Sequence, residues 1–207
     1  MAPMATQKLS KQEEKSLSMR RRVCEATISV LASVGYERVS TKLIAEHGKM
    51  SRGAVNYHFP TKNDMLVAAY EYVLADWEKS WPFRALAEGE KIAADDLIDA
   101  LWDGLFSTGT YLAVLELMLA ARLDENLGAR LRAALPAWSG SRDVRTAQLI
   151  GLDTKNEKAL RLLHLNLCML RGLSVNQFFA VGIRAEDKLI KVWKEIFVRE
   201  IKEYIQL

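Results

Sequence analysis

Apolar residues recur at spacings of three and four through most of the chain from residue 19 onward, the mark of amphipathic helices. Val23, Thr27, Val30, Leu31 and Val34 share one face of a helix predicted over Met19 to Val34, and Gly35 ends it. Two short helices follow. Ser40 or Thr41 caps the first, whose Leu43, Ile44 and Ala45 face a neighbour until Gly48 stops it, and Ser51 caps the second, with Val55 pointing inward. Thr61 and Asp64 form a capping pair that opens a fourth helix striped by Leu66, Ala69, Tyr70, Val73 and Trp77, with its stop at Trp81-Pro82. Beyond it the pattern predicts helices over Ile92 to Ser107, Thr110 to Leu123, and Glu125 to Ile150, the last kinked or broken around Pro136 to Gly140. A capping box at Thr154 to Glu157 opens a helix to Val181, stopped by Gly182, and a final helix over Glu186 to Ile205 carries Ile190, Trp193, Phe197, Ile201 and Tyr204.

No run of alternating β-branched residues suggests a sheet, so the fold class is all-α. The division expected is a polar, disordered tail over residues 1–18, a small three-helix domain over 19–63, and a larger helical domain over 64–207. Half of the 207 residues are apolar, enough for a sizeable core. The net charge is only +3, but residues 1–62 hold 11 Lys and Arg against 5 Asp and Glu, while the remainder holds 18 against 21. That concentration at one end is the footprint of a polyanionic partner. Arg20, Arg21 and Arg22 sharpen it, because cations near the expected helix start oppose the helix dipole. Cys24 and Cys168 read as reduced, buried thiols of a cytoplasmic protein. The apolar stretch from Leu160 to Ile183 is interrupted by charged and amide side chains, so no membrane span is expected.

The segment from Ser40 to Lys62 carries the most specific chemistry. Two short helices about a tight turn read as a helix-turn-helix, with the second helix offered to the DNA major groove. Gly53 and Ala54 let the backbone come close, Arg52 suits guanine and Asn56 suits adenine. Thr41, Ser51, Tyr57, His58 and Lys62 complete the candidate DNA-binding set, with Tyr57, His58 and Lys62 suited to phosphate oxygens. Outside this context Arg52 and Lys62 would be ordinary solvated charges; the spacing is what distinguishes them.

These residues resemble the DNA-binding domain of the TetR (tetracycline repressor) family from about Arg20 to Leu66. The likeness rests on Val39-Ser40-Thr41, Ile44-Ala45-Glu46, the run Ser51 to Val55, and Tyr57-His58-Phe59-Pro60-Thr61-Lys62. Two positions depart from that pattern. A tyrosine commonly follows the aliphatic position of the recognition helix, whereas this chain has Asn56 there and Tyr57 next. The turn usually reads Ala-Gly-Val-Ser but here is Gly48-Lys49-Met50-Ser51; a left-handed Lys49 would cost about 1–2 kcal/mol unless the turn shifts by one residue onto Gly48, and the sequence leaves both arrangements open.

The resemblance implies a homodimer built from the last two helices, on a pseudo-palindromic double-stranded operator, and a small-molecule effector site in the larger domain. Leu160, Leu163, Leu167, Phe178, Ile190, Trp193 and Phe197 are the apolar positions expected at the dimer interface; the competing reading makes them core residues of a monomer. Polar residues within apolar helices are costly unless paired, which nominates Glu116, His164, Asn166, Arg171 and Gln177 as effector contacts, with Trp102, Met118 and Met169 as walls. Each has a purely structural alternative. The expected effector is apolar or amphipathic, and the expected output is repression. No cofactor, metal or catalytic motif is indicated: there is no G-x-S-x-G, phosphate-binding glycine loop, H-E-x-x-H or C-x-x-C.

Overall fold

A computed structural model describes residues 10–177, 179 and 186–205, with side chains for all of these except 87, 135–141 and 186. Among the described residues ten α-helices follow one another: α1 (Lys11–Arg38), α2 (Thr41–His47), α3 (Arg52–His58), α4 (Lys62–Lys79), α5 (Phe83–Ala87), α6 (Ala94–Leu101), α7 (Gly109–Ala120), α8 (Glu125–Leu149), α9 (Glu157–Asn176) and α10 (Glu186–Ile201). A π-helical turn, Trp102–Phe106, extends α6. Among the described residues there is no strand, only an isolated bridge between Leu152 and Ile205.

Several boundaries differ from those the sequence predicts. Residues 11–18, expected within the disordered tail, are helical; Ser10 caps α1, accepting from the Glu13 N–H while the Glu13 carboxylate accepts from the Ser10 N–H at 2.8 Å. The three arginines therefore lie mid-helix, away from the dipole that was expected to oppose them. Residues 1–9 lie outside the description. Gly35, at φ 73 and ψ 169, breaks the helical path near the end of α1 as predicted. α9 is capped by Asn156 instead of Thr154, because the Asn156 side chain accepts from the free N–H groups of Lys158 and Ala159. α8 runs through Pro136 without the predicted interruption; buried Leu127, Leu131, Ala147 and Leu149 anchor both its halves, and packing overrides local preference.

In the small domain, Val23, Thr27 and Val30 of α1 share a core with Ile44, Val55 and Phe59. Two arginines fasten it from outside. Arg20 donates to the His58 carbonyl at 3.2 Å with its guanidinium over the Phe59 ring, and Arg22 donates to the Gly48 carbonyl at 3.0 Å. Both carbonyls lie at helix C-terminal ends, where a cation is favoured. α4 then enters the larger domain, burying Met65, Leu66, Ala69, Tyr70, Val73 and Trp77.

The two domains meet along α7 and the start of α8. The Glu116 carboxylate of α7 accepts from the Tyr36 N–H at 3.1 Å, directly after the Gly35 break. Arg130 pairs with Asp64 at 2.9 Å, and Asn63 donates to Asp124, the residue that caps α8.

Candidate nucleic-acid interface and effector cavity

Ser51 caps α3 by accepting from the Ala54 N–H at 3.1 Å, and Ser40 caps α2 in the same way through Leu43. With Val55 fully buried beneath it, α3 turns Arg52, Gly53, Asn56 and Tyr57 outward. Tyr57 is 81% exposed, an unusual position for a large aromatic unless a partner covers it. A Cβ on Gly53 would meet no atom within 4 Å, so none of the described residues covers that point. Thr41 and His58 are half-buried. Lys62 is less free than its sequence position suggests: its Nζ donates to the Tyr36 carbonyl at 3.2 Å and sits 4.2 Å from that ring's centre, and burial pulls its ammonium below the usual lysine range. The exposed side chains of α3 thus form a protruding surface of one guanidinium, one amide and one phenol, with Lys42 and Lys49 exposed on the neighbouring helix and turn.

The nominated effector residues do not stay together. Met118, His164 and Arg171 line a cavity of about 280 Å³ enclosed by α4, the α6 extension, α7, α8 and α9. The other five lie elsewhere. Glu116 is occupied with Tyr36 between the domains, and Asn166 is fully buried, accepting from the Trp193 indole at 2.8 Å to tie α9 to α10. Gln177 donates to the Ser174 carbonyl, Met169 is exposed, and Trp102 packs on the core outside this cavity. Sequence reasoning missed the cavity's aromatic wall, Trp77, Phe106 and Tyr111, and three polar members, Tyr70, Arg142 and Asp143. Their helical spacing reads only as core, and only the tyrosine hydroxyls hinted otherwise. Arg171 Nε donates to the Tyr111 hydroxyl at 2.8 Å, while Arg142 pairs with the adjacent Asp143. Burial pushes the Tyr70 phenol up to about 12, so it stays protonated.

Four of the seven positions expected at the dimer interface turn inward. Leu163, Leu167, Ile190 and Phe197 are buried within the protomer's own core, Leu160 and Trp193 are half-buried, and Phe178 lies outside the described residues. Leu163 and Leu167 face inward because α9 is apolar on two sides. Its outer side instead exposes Leu165, Met169 and Val175, continued by Phe179, with Val192 of α10 also exposed. Cys168, expected to be buried, lies on that outer side, whereas Cys24 is buried and its thiol is pushed up to about 11.

A capped helix pair about a tight turn, braced by a third helix and joined to a larger helical body with a cavity, defines a helix-turn-helix protein. Residues 23–69 match the family of bacterial regulatory proteins called tetR. An uncharacterised HTH-type transcriptional regulator of Mycobacterium bovis is 34% identical over 120 residues, covering 57% of this chain and 60% of that relative, and two from Mycobacterium tuberculosis strains match equally. The chain thus matches about three fifths of the length of these curated relatives. Among solved structures, a transcriptional regulator from Rhodococcus sp. Rha1 superposes with a TM-score of 0.67 at 20% identity, covering 91% of this chain and 98% of that one. The multidrug binding protein EbrR, complexed with ethidium, has a TM-score of 0.59 at 20% identity, covering 91% and 99%. Residues 23–69 thus carry a helix-turn-helix domain of the tetR type found in bacterial regulatory proteins.

Proposed function

We propose that this protein is a ligand-responsive transcriptional repressor that binds a pseudo-palindromic operator as a homodimer. The observation that carries the reading is the uncovered outer face of α3, where Arg52, Asn56 and Tyr57 project from a helix rigidly capped by Ser51. Arg52 and Asn56 read base edges, while Thr41, Ser51, Tyr57, His58 and Lys62 hold the backbone. The exposed apolar strip of α9, with Val192, supports pairing with a second copy, which would set two α3 helices about 34–36 Å apart on successive major grooves. The enclosed cavity supports an apolar or amphipathic effector, whose binding favours a conformer with α4 tilted and the reading heads out of register.

Selection from randomised duplex DNA with the purified protein should recover a two-half-site sequence, with log affinity falling against log salt by about 0.9 per phosphate neutralised. Recovery of no preferred sequence, together with a flat salt response, would refute DNA binding.

A further inference from the structure

We propose that the effector is an amphipathic monoanion, with a carboxylate or equivalent acidic group held by Arg171 and an apolar body against Trp77 and Phe106. This rests on the reading of the cavity as the effector site and deepens it by naming the ligand's chemistry.

The charge inventory of the wall is unbalanced. Arg142 is matched by Asp143, which takes two of its N–H donors. Arg171 has no carboxylate within ion-pairing distance among the described residues; its partner there is the neutral Tyr111 hydroxyl, which accepts from Nε, and the residue lines the cavity. Asp143 is the only carboxylate on the cavity wall among the described residues. A half-buried guanidinium without a counter-charge is costly, and a planar carboxylate matches its fork with two parallel hydrogen bonds. Having accepted from Arg171, Tyr111 keeps its own proton to donate, and the protonated Tyr70 phenol offers another. A ligand cation at this spot would meet like charge. The space also limits size: about 280 Å³, at roughly 20–30 Å³ per non-hydrogen atom, holds on the order of ten such atoms. The apolar lining, Leu74, Trp77, Leu101, Leu105 and Phe106, offers no charge to a second acidic group. A single acid on a bicyclic ring or medium chain fits both limits.

The test titrates the purified full-length protein by calorimetry with two matched sets: 1-naphthoate, 1-naphthylmethanol and 1-naphthylmethylammonium, and decanoate, decanol and decylammonium. Tenfold or greater preference for the acid over the alcohol in either set, with the ammonium weakest, is expected. Arg171→Gln should bring the acid-to-alcohol ratio close to one with the alcohol's affinity little changed, and Arg171→Lys should retain part of the preference. A melting scan confirms that both variants are folded. Equal binding of acid and alcohol, a preference for the ammonium, or an acid preference that survives in Arg171→Gln overturns the anion proposal while leaving the cavity as an effector site. Binding of none of the six overturns both.

Discussion

Lys49 sits at φ 50 in the turn between α2 and α3, while Gly48 beside it adopts φ −78. The glycine is needed for space, since a Cβ there would collide with the Met50 side chain and press on Ala26. The left-handed position thus falls on a residue with a Cβ, at a cost that glycine avoids. Lys49→Gly is expected to stabilise the fold by about 1 kcal/mol and raise Tm by roughly 2–4 °C in a thermal melt; Gly48→Ala should lower it. On α3, Asn56→Ala and Arg52→Ala should each erase about 1–3 kcal/mol of discrimination at one base pair, measured on operators with single substitutions. Lys62→Ala behaves differently because that ammonium serves two masters. It should weaken binding to cognate and random duplexes alike and also lower Tm, since its bond to the Tyr36 carbonyl is partly buried.

At the level of elements, α7 is the member that touches both sites. Tyr111, Val114 and Met118 face the cavity, while Glu116 reaches the Tyr36 N–H at the break in α1. Any ligand-driven shift of α7 is therefore felt where α1 turns toward the reading head. Glu116→Ala leaves that N–H without its partner, with an expected loss of about 1–3 kcal/mol. The coupling should fall further than the stability: effector affinity measured with and without operator should converge in the variant. The neighbouring junction is held by two carboxyls below their usual range, Asp64 through the Thr61 hydroxyl and then Arg130, and Asp124 through the Leu127 N–H and then Asn63. Because both are depressed in the folded state, their stabilisation is full above about pH 4 and is lost as pH falls through the folded values. Acid melts should show Tm dropping in that window, and Asp64→Asn should flatten part of the drop. The caps at Ser40, Ser51 and Thr61 were legible in the sequence because each is a contact across three residues. The junction was not, because its partners lie about 60 to 80 positions apart.

For the whole molecule, the same distinction between local and distant contacts explains why the reading head could be read from the chain and the cavity and interface could not. The cavity draws on five separate stretches, from Tyr70 to Arg171, and periodicity marks its wall only as core. On α9 the difficulty was the reverse: two apolar stripes run along one helix, and sequence cannot say which one the protomer keeps. Leu163, Leu167 and Leu170 went inward, leaving Leu165, Met169 and Val175 on the surface beside Cys168 and Gly172. None of the described residues occupies the space where a Cβ on Gly172 would be, which allows a second helix to come close. If that outer stripe joins two copies, Met169→Glu should place two carboxylates near the symmetry axis and convert the protein to a monomer in sedimentation equilibrium, with the protomer still helical by circular dichroism. The monomer keeps one α3 and half of the phosphate contacts, so its log–log salt slope on the two-half-site operator should fall to about half that of the parent. A folded variant that remains dimeric and keeps the full slope would place the subunit contact on another surface.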